Sequence, residues 1–270
     1  MKNLFIVTLA LCALSGGSLF AHEWFAAPAE TKVYKTGDTV PIAVYSTHLL
    51  IAGQNIQDPA RNAFFVLQNN RLVDVKATVS RNDAQKVLLG QFTLPNGAPT
   101  VVLVNNIGRF SNVTPLGNFT AAKATVSVLG VNIVKTTYSD RWCKVYINPD
   151  SQDRTFAQPL GLPLEIVPVT NPADMAAGRN AVFKVLLRGR PLRDAEVSAT
   201  YKGFNSRDEE AWAVNSLKTD ASGTVTIPIP AVSAAKDIWI VKVGYTNTVT
   251  GNPWYDEESF SSWVSFVIRK

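Results

Sequence analysis

The sequence predicts an all-β protein made of two consecutive β-sandwich domains, residues 22–155 and residues 156–270, the second immunoglobulin-like or transthyretin-like. Three observations carry this. Apolar residues almost never recur with a helical period; they come in short alternating runs instead. The runs are punctuated by turn formers, with 16 Gly and 15 Pro along the chain. A 46% hydrophobic and 17% charged composition then supplies enough apolar surface for a packed core.

Residues 1–21 read as a secretory signal peptide. Lys2 gives the positive start, residues 4–14 form an apolar run broken only by Thr8, and Leu19-Phe20-Ala21 precedes the expected cut. The run is too short to anchor a chain in a membrane. No second long apolar segment follows it, so an exported protein without an integral membrane segment is expected.

In the first domain, residues 40–45, 63–67, 72–79, 87–94, 100–105, 123–129 and 141–147 read as strands. Asn69-Asn70 makes a tight hairpin turn, because Asn tolerates positive φ. The polar stretch 148–153 closes the unit. In the second domain, strands are expected at residues 180–187, 195–201, 224–229, 238–245 and 262–268, after an opening run at 164–169. About seven short strands over such a length match a sandwich. In Thr219-Asp220-Ala221-Ser222-Gly223, Asp220 caps the turn and Gly223 supplies positive φ. Alternation along the strands places Trp142 and Tyr146 in the first core, and Trp239 and Val241 in the second.

The net charge of +5 is carried by scattered basic residues, with no run beyond Arg188-Gly189-Arg190 and Arg193. They read as solvated strand faces, and no nucleic-acid partner is expected. Cys143 alone remains after the signal peptide is removed, so no intramolecular disulfide can form. Its alternating surroundings mark it as a small buried apolar residue.

The chain holds only two histidines, His22 and His48. Cleavage after Ala21 makes His22 the first residue, offering its free amine and ring Nδ1 to one ion. His48 can complete a three-nitrogen site of the histidine-brace type. Such nitrogens suit a divalent transition metal: nickel, cobalt or copper. Glu23 and Trp24 are then the neighbours that shape the site, Trp24 as a core anchor. The affinity order of divalent metals favours copper whatever the physiological cargo, so the metal is not fixed by the ligands.

The mature start, Ala21-His22-Glu23-Trp24-Phe25, resembles the opening of a family of periplasmic proteins tied to nickel and cobalt uptake and catalogued as a domain of unknown function. The run Gln158-Pro159-Leu160-Gly161-Leu162-Pro163-Leu164-Glu165-Ile166-Val167-Pro168 is similar to its most recognisable segment. Gly189-Arg190-Pro191-Leu192-Arg193-Asp194-Ala195-Glu196-Val197 and the 219–223 turn add to the likeness. The resemblance implies an exported, periplasmic β-rich protein that assists metal uptake. Its partners would be a metal ion or metal chelate and an inner-membrane metal importer. It also implies metal-ligating histidines just after the signal and on an early strand, here His22 and His48.

Enzymatic chemistry is not expected. No Gly-x-Ser-x-Gly elbow, phosphate loop, Cys-x-x-Cys pair or dinucleotide turn is present. Two other classes stay open: a protein-interaction module of the periplasm that binds no metal, and a copper histidine-brace oxidative enzyme. The acidic clusters Asp208-Glu209-Glu210 and Asp256-Glu257-Glu258 read as charged loops, the second anchored by Trp254 and Tyr255.

Overall fold

A computed structural model describes residues 23–47, 53–115, 117–204, 206, 211–231 and 238–268. Among the described residues strands take 54% and helix 7%, which settles the all-β class.

In chain order the strands are β1 (Glu23–Pro28), β2 (Thr39–Thr47), β3 (Asn62–Gln68), β4 (Arg71–Asp74), β5 (Thr78–Asn82), β6 (Val87–Thr93), β7 (Thr100–Thr114), β8 (Gly117–Phe119) and β9 (Lys135–Ile147). They continue as β10 (Leu164–Pro168), β11 (Asn180–Leu187), β12 (Arg190–Pro191), β13 (Glu196–Tyr201), β14 (Val214–Lys218), β15 (Thr224–Pro228), β16 (Ile238–Thr248) and β17 (Glu257–Val267). Among the described residues the one α-helix, α1 (Lys123–Ser127), lies between β8 and β9, and a 3₁₀ turn, Pro59–Arg61, precedes β3.

These strands form three layers. The central sheet runs β14-β13-β16-β17-β9-β7-β3-β4, with β8 attached to β7. A four-stranded sheet, β1-β2-β6-β5, covers one face, and β10, β11, β12 and β15 cover the other. Among the described residues every pairing is antiparallel except β17 with β9, where Glu257↔Thr137 starts a parallel ladder that ends at Ser265↔Val145. That ladder joins the two halves of the chain into one sheet.

The halves therefore do not keep separate cores, as the sequence reading expects. Between the central sheet and the β10 layer, Val101, Leu103 and Tyr146 pack with Ile166, Phe183, Val241 and Phe266. On the opposite face, Trp24, Phe64 and Val145 pack with Trp212, Ile238, Ile240 and Trp263. Trp142, Tyr146, Trp239 and Val241 all face the first of these cores, because the continuous sheet gives their strands a common side.

Local expectations fare unevenly. Asn69 and Asn70 take φ values of 46° and 62°, as a two-residue hairpin turn between β3 and β4 requires. Asp220 accepts from the backbone of Ser222 and Thr224, and Gly223 sits at φ 75°. Residues 72–79 are not one strand: Lys76, at φ 50°, breaks them into β4 of the central sheet and β5 of the covering sheet. The 123–129 alternation is likewise not a strand. The Lys123 amide donates to the Trp254 carbonyl, no strand among the described residues pairs with the segment, and it closes as α1, burying Val126. Strands β7 and β9 outrun the expected 100–105 and 141–147, because polar residues continue the ladder beyond the apolar core.

Candidate functional site

The β1–β2 ladder lays residues 23–28 over the central sheet. It runs from Pro28↔Ile42 to Glu23↔Thr47. His22 and His48, the two predicted ligands, lie outside the described residues, each next in sequence to a member of that last pair. The end of the ladder is firmly seated. Trp24 is 1% exposed, meets Trp263 edge-on at 5.5 Å, and donates from Nε1 to Asn62 Oδ1 at 3.1 Å. Phe25 stacks on Tyr45 at 5.0 Å. Glu23 accepts from Lys242 Nζ, and that ammonium also lies 4.7 Å from the centre of the Trp212 ring. Trp24 is thus the core anchor the sequence suggests, whereas the Glu23 carboxylate is already committed to a lysine.

Cys143 fixes β1 from below. Its thiol donates to the Ala26 carbonyl at 3.2 Å and is fully buried. Burial raises its pKa from 9.0 to about 12. A neutral thiol is neither nucleophile nor metal ligand at neutral pH. The raised pKa means the thiol's contribution to stability is complete below pH 9 and is lost as pH rises through about 12. At pH 8 the native protein should resist alkylation of Cys143 and react only at the rate of unfolding. Prompt labelling without denaturant would contradict this burial.

The acidic run 256–258 is consumed structurally. Asp256 accepts from Lys123 Nζ and the Thr136 amide, Glu257 pairs with Lys135 at 3.2 Å, and Arg188 grips both Glu258 oxygens at 2.7 and 2.8 Å. The lysine and amide hydrogen bonds hold the Asp256 carboxyl below the usual range. A cleft of about 510 Å³ opens beside them, lined by Tyr138, Tyr255 and Phe260. Its acids are already occupied, Glu258 by Arg188 and Asp140 by Asn105 and Trp142. Residues 208–210 lie outside the described residues.

Two charged features escape the sequence reading. One is a buried ion pair: Lys144, 1% exposed, donates to Glu165, 0% exposed, at 2.6 Å. Glu165 also accepts from the amides of Leu160, Gly161 and Leu162 at 2.7, 3.1 and 3.3 Å, so the Pro159–Pro163 loop wraps its own carboxylate. The other is a group of three arginines, Arg61, Arg109 and Arg141, near the end of the β1–β2 ladder. Burial, followed by the neighbouring guanidiniums, lowers the pKa of Arg109 and Arg141.

Among the described residues no cluster of three or more His, Cys, Asp and Glu side chains is placed to hold a metal ion. No helix among them is long and apolar enough to cross a membrane.

The family model of the domain of unknown function DUF4198 matches residues 19–246. The chain belongs to that family. The DUF4198 match begins just before the expected signal cut and ends within β16, before β17. No curated protein matches the chain by sequence. Among solved structures, the D0-D1 domain of intimin aligns over 89% of this chain and 96% of its own, at 10% identity and a TM-score of 0.22. A titin fragment of three immunoglobulin domains, I67–I69 in an E-to-A variant, aligns over 85% of this chain and 60% of its own, at 8% identity and a TM-score of 0.19. No activity passes from them to this DUF4198 chain.

Proposed function

We propose that this protein is a periplasmic carrier of a transition metal, nickel or cobalt or else copper. It binds the ion through His22 and His48 and assists its uptake by an inner-membrane importer. The observation that carries the reading is the end of the β1–β2 ladder at Glu23↔Thr47, next to both histidines. Glu23 and Thr47 face each other as a directly paired couple, and each histidine is the next residue in sequence beyond that pair. The donor set agrees: Cys143 is buried as a neutral thiol, and Glu23 is tied to Lys242. The nitrogens of His22, including its amine after cleavage, and of His48 are the ligands of choice.

Calorimetric titration of the chain beginning at His22 tests this. Ni²⁺ should bind at one site, and more weakly as pH falls through the imidazole range, because the ligands must lose protons. His22→Ala and His48→Ala should each weaken binding by about a hundred-fold or more, since losing a group that only hydrogen-bonds to a metal's ligand already costs about 10–100-fold. A Met retained before His22 should weaken it strongly too, by displacing the free amine. Unchanged affinity in both histidine variants would exclude this site and leave the interaction-module reading.

A further inference from the structure

We propose that the central sheet, just beyond the end of β1, binds the carboxylate groups of an anionic ligand through Arg61, Arg109 and Arg141. The inference rests on the metal-carrier reading for its final step, in which the anion is the chelator that brings the metal.

Strand register builds the surface. Under β1, one row across the sheet is Phe64, Val104, Cys143, Trp263 and Lys242. Two residues further along, the next row is Asn62, Asn106, Arg141, Ser261 and Gly244. After the register shift in β7, the row beyond is Arg109, Ser139, Ser259 and Thr246. Directly paired residues share a face, so Arg109 and Arg141 both lie on the side of Cys143, which β1 covers. The aliphatic and aromatic floor gives way within two residues to guanidiniums, amides and hydroxyls. Space remains above it: a Cβ added at Gly244 would meet nothing within 4 Å.

Charge supplies the reason for a ligand. All three arginines are half-buried, and among the described residues none of their guanidiniums has a hydrogen-bond or ion-pair partner. The carboxylate acting on Arg141 is Glu23, which Lys242 already engages. Asp140, next to Arg141 in sequence, bonds to Asn105 and Trp142, both on the opposite face. Partly desolvated like charges without a counterion are unfavourable, as the lowered pKa values of Arg109 and Arg141 register. The planar forked guanidinium matches a carboxylate in two-point geometry, and Ser139, Ser259 and Ser261 add neutral donors. This field repels a bare divalent cation and attracts a metal already wrapped in an organic polyacid. The binding face borders the ladder end that adjoins His22 and His48 in sequence, so one complex can meet both.

Calorimetry on the full chain from His22 tests the inference with citrate, inorganic phosphate, Ni²⁺ alone and Ni²⁺–citrate. Citrate should bind without metal, and more weakly as salt rises. Arg109→Gln and Arg141→Gln should each weaken citrate by about ten-fold or more, the scale of one charge-assisted contact. Arg109→Lys, which keeps the charge and loses the fork, should lie between. Ni²⁺ alone should bind the Gln variants at least as tightly as the parent, because a repelling charge has gone. Thermal midpoints of the apo variants should be unchanged or higher, because a cation without a partner has gone. No citrate binding, or citrate binding indifferent to both Gln variants, overturns the proposal. Phosphate binding as tightly as citrate overturns its chelate half. Citrate binding that depends on the arginines, with no Ni²⁺ binding, keeps the anion site and removes the metal reading. Ni²⁺ binding without citrate binding does the reverse.

Discussion

Residues 23–155 and 156–268 produced as separate chains should each fail to fold. The N-terminal piece would lose Trp212, Ile238, Ile240 and Trp263 from the core beneath β1, and the C-terminal piece would lose Val101, Leu103 and Tyr146 from the core beneath β10. A large apolar side chain contributes about 1.5–3 kcal/mol on burial. Each fragment thus forgoes on the order of 5–12 kcal/mol, comparable with the whole stability of about 5–15 kcal/mol typical of a protein. The cut also bares β9 and β17 along their shared ladder, leaving unpaired edges prone to association. Circular dichroism melts and amide dispersion in NMR spectra check this, and co-production of the two pieces should restore both signals. A cooperative melt in either isolated fragment would overturn the shared-core description.

Lys144→Met and Glu165→Leu should both be strongly destabilising, and unequally so. Removing one member of a buried pair costs about 3–5 kcal/mol, because the other is left charged without its partner. Without Lys144, the Glu165 carboxylate still accepts from three amides. Without Glu165, the Leu160, Gly161 and Leu162 amides lose their acceptor along with the lysine, each at about 1–3 kcal/mol if left unsatisfied. Burial already presses the Lys144 pKa below the usual lysine value, with Glu165 pulling it back up. Urea unfolding should therefore rank Glu165→Leu below Lys144→Met, and both well below the parent. A loss under about 1 kcal/mol in either variant would mean that water or rearrangement replaces the missing partner.

The same pair marks where the sequence stops being legible. Alternation located most strands because one face of each was apolar, and the Asn69-Asn70 and Asp220–Gly223 turns announced themselves through residues that favour their backbone angles. Alternation also assumes that the other face is wet. In β9 it is not: Cys143 and Val145 pack beneath β1, while Lys144 and Tyr146 pack beneath β10. A lysine between two apolar neighbours reads as surface until a third layer covers it. The 158–168 run was recognisable as a pattern, yet its reason lies in a lysine some twenty positions earlier. The arginines near the ladder end are harder still. Arg61, Arg109 and Arg141 are scattered in sequence, and only register across β7 and β9, with the 3₁₀ turn before β3, gathers them.

The parallel junction between β9 and β17 also sets a timetable. Its partners are 120 residues apart in sequence, as Thr137 and Glu257 illustrate. Closing so long a loop costs entropy before the contacts on the far side repay it, which places the chain among slow-folding β topologies. Until residue 267 has been made, β9 waits with one side unpaired and both cores stay incomplete. Anything that binds extended, half-finished strands has its opportunity in that interval.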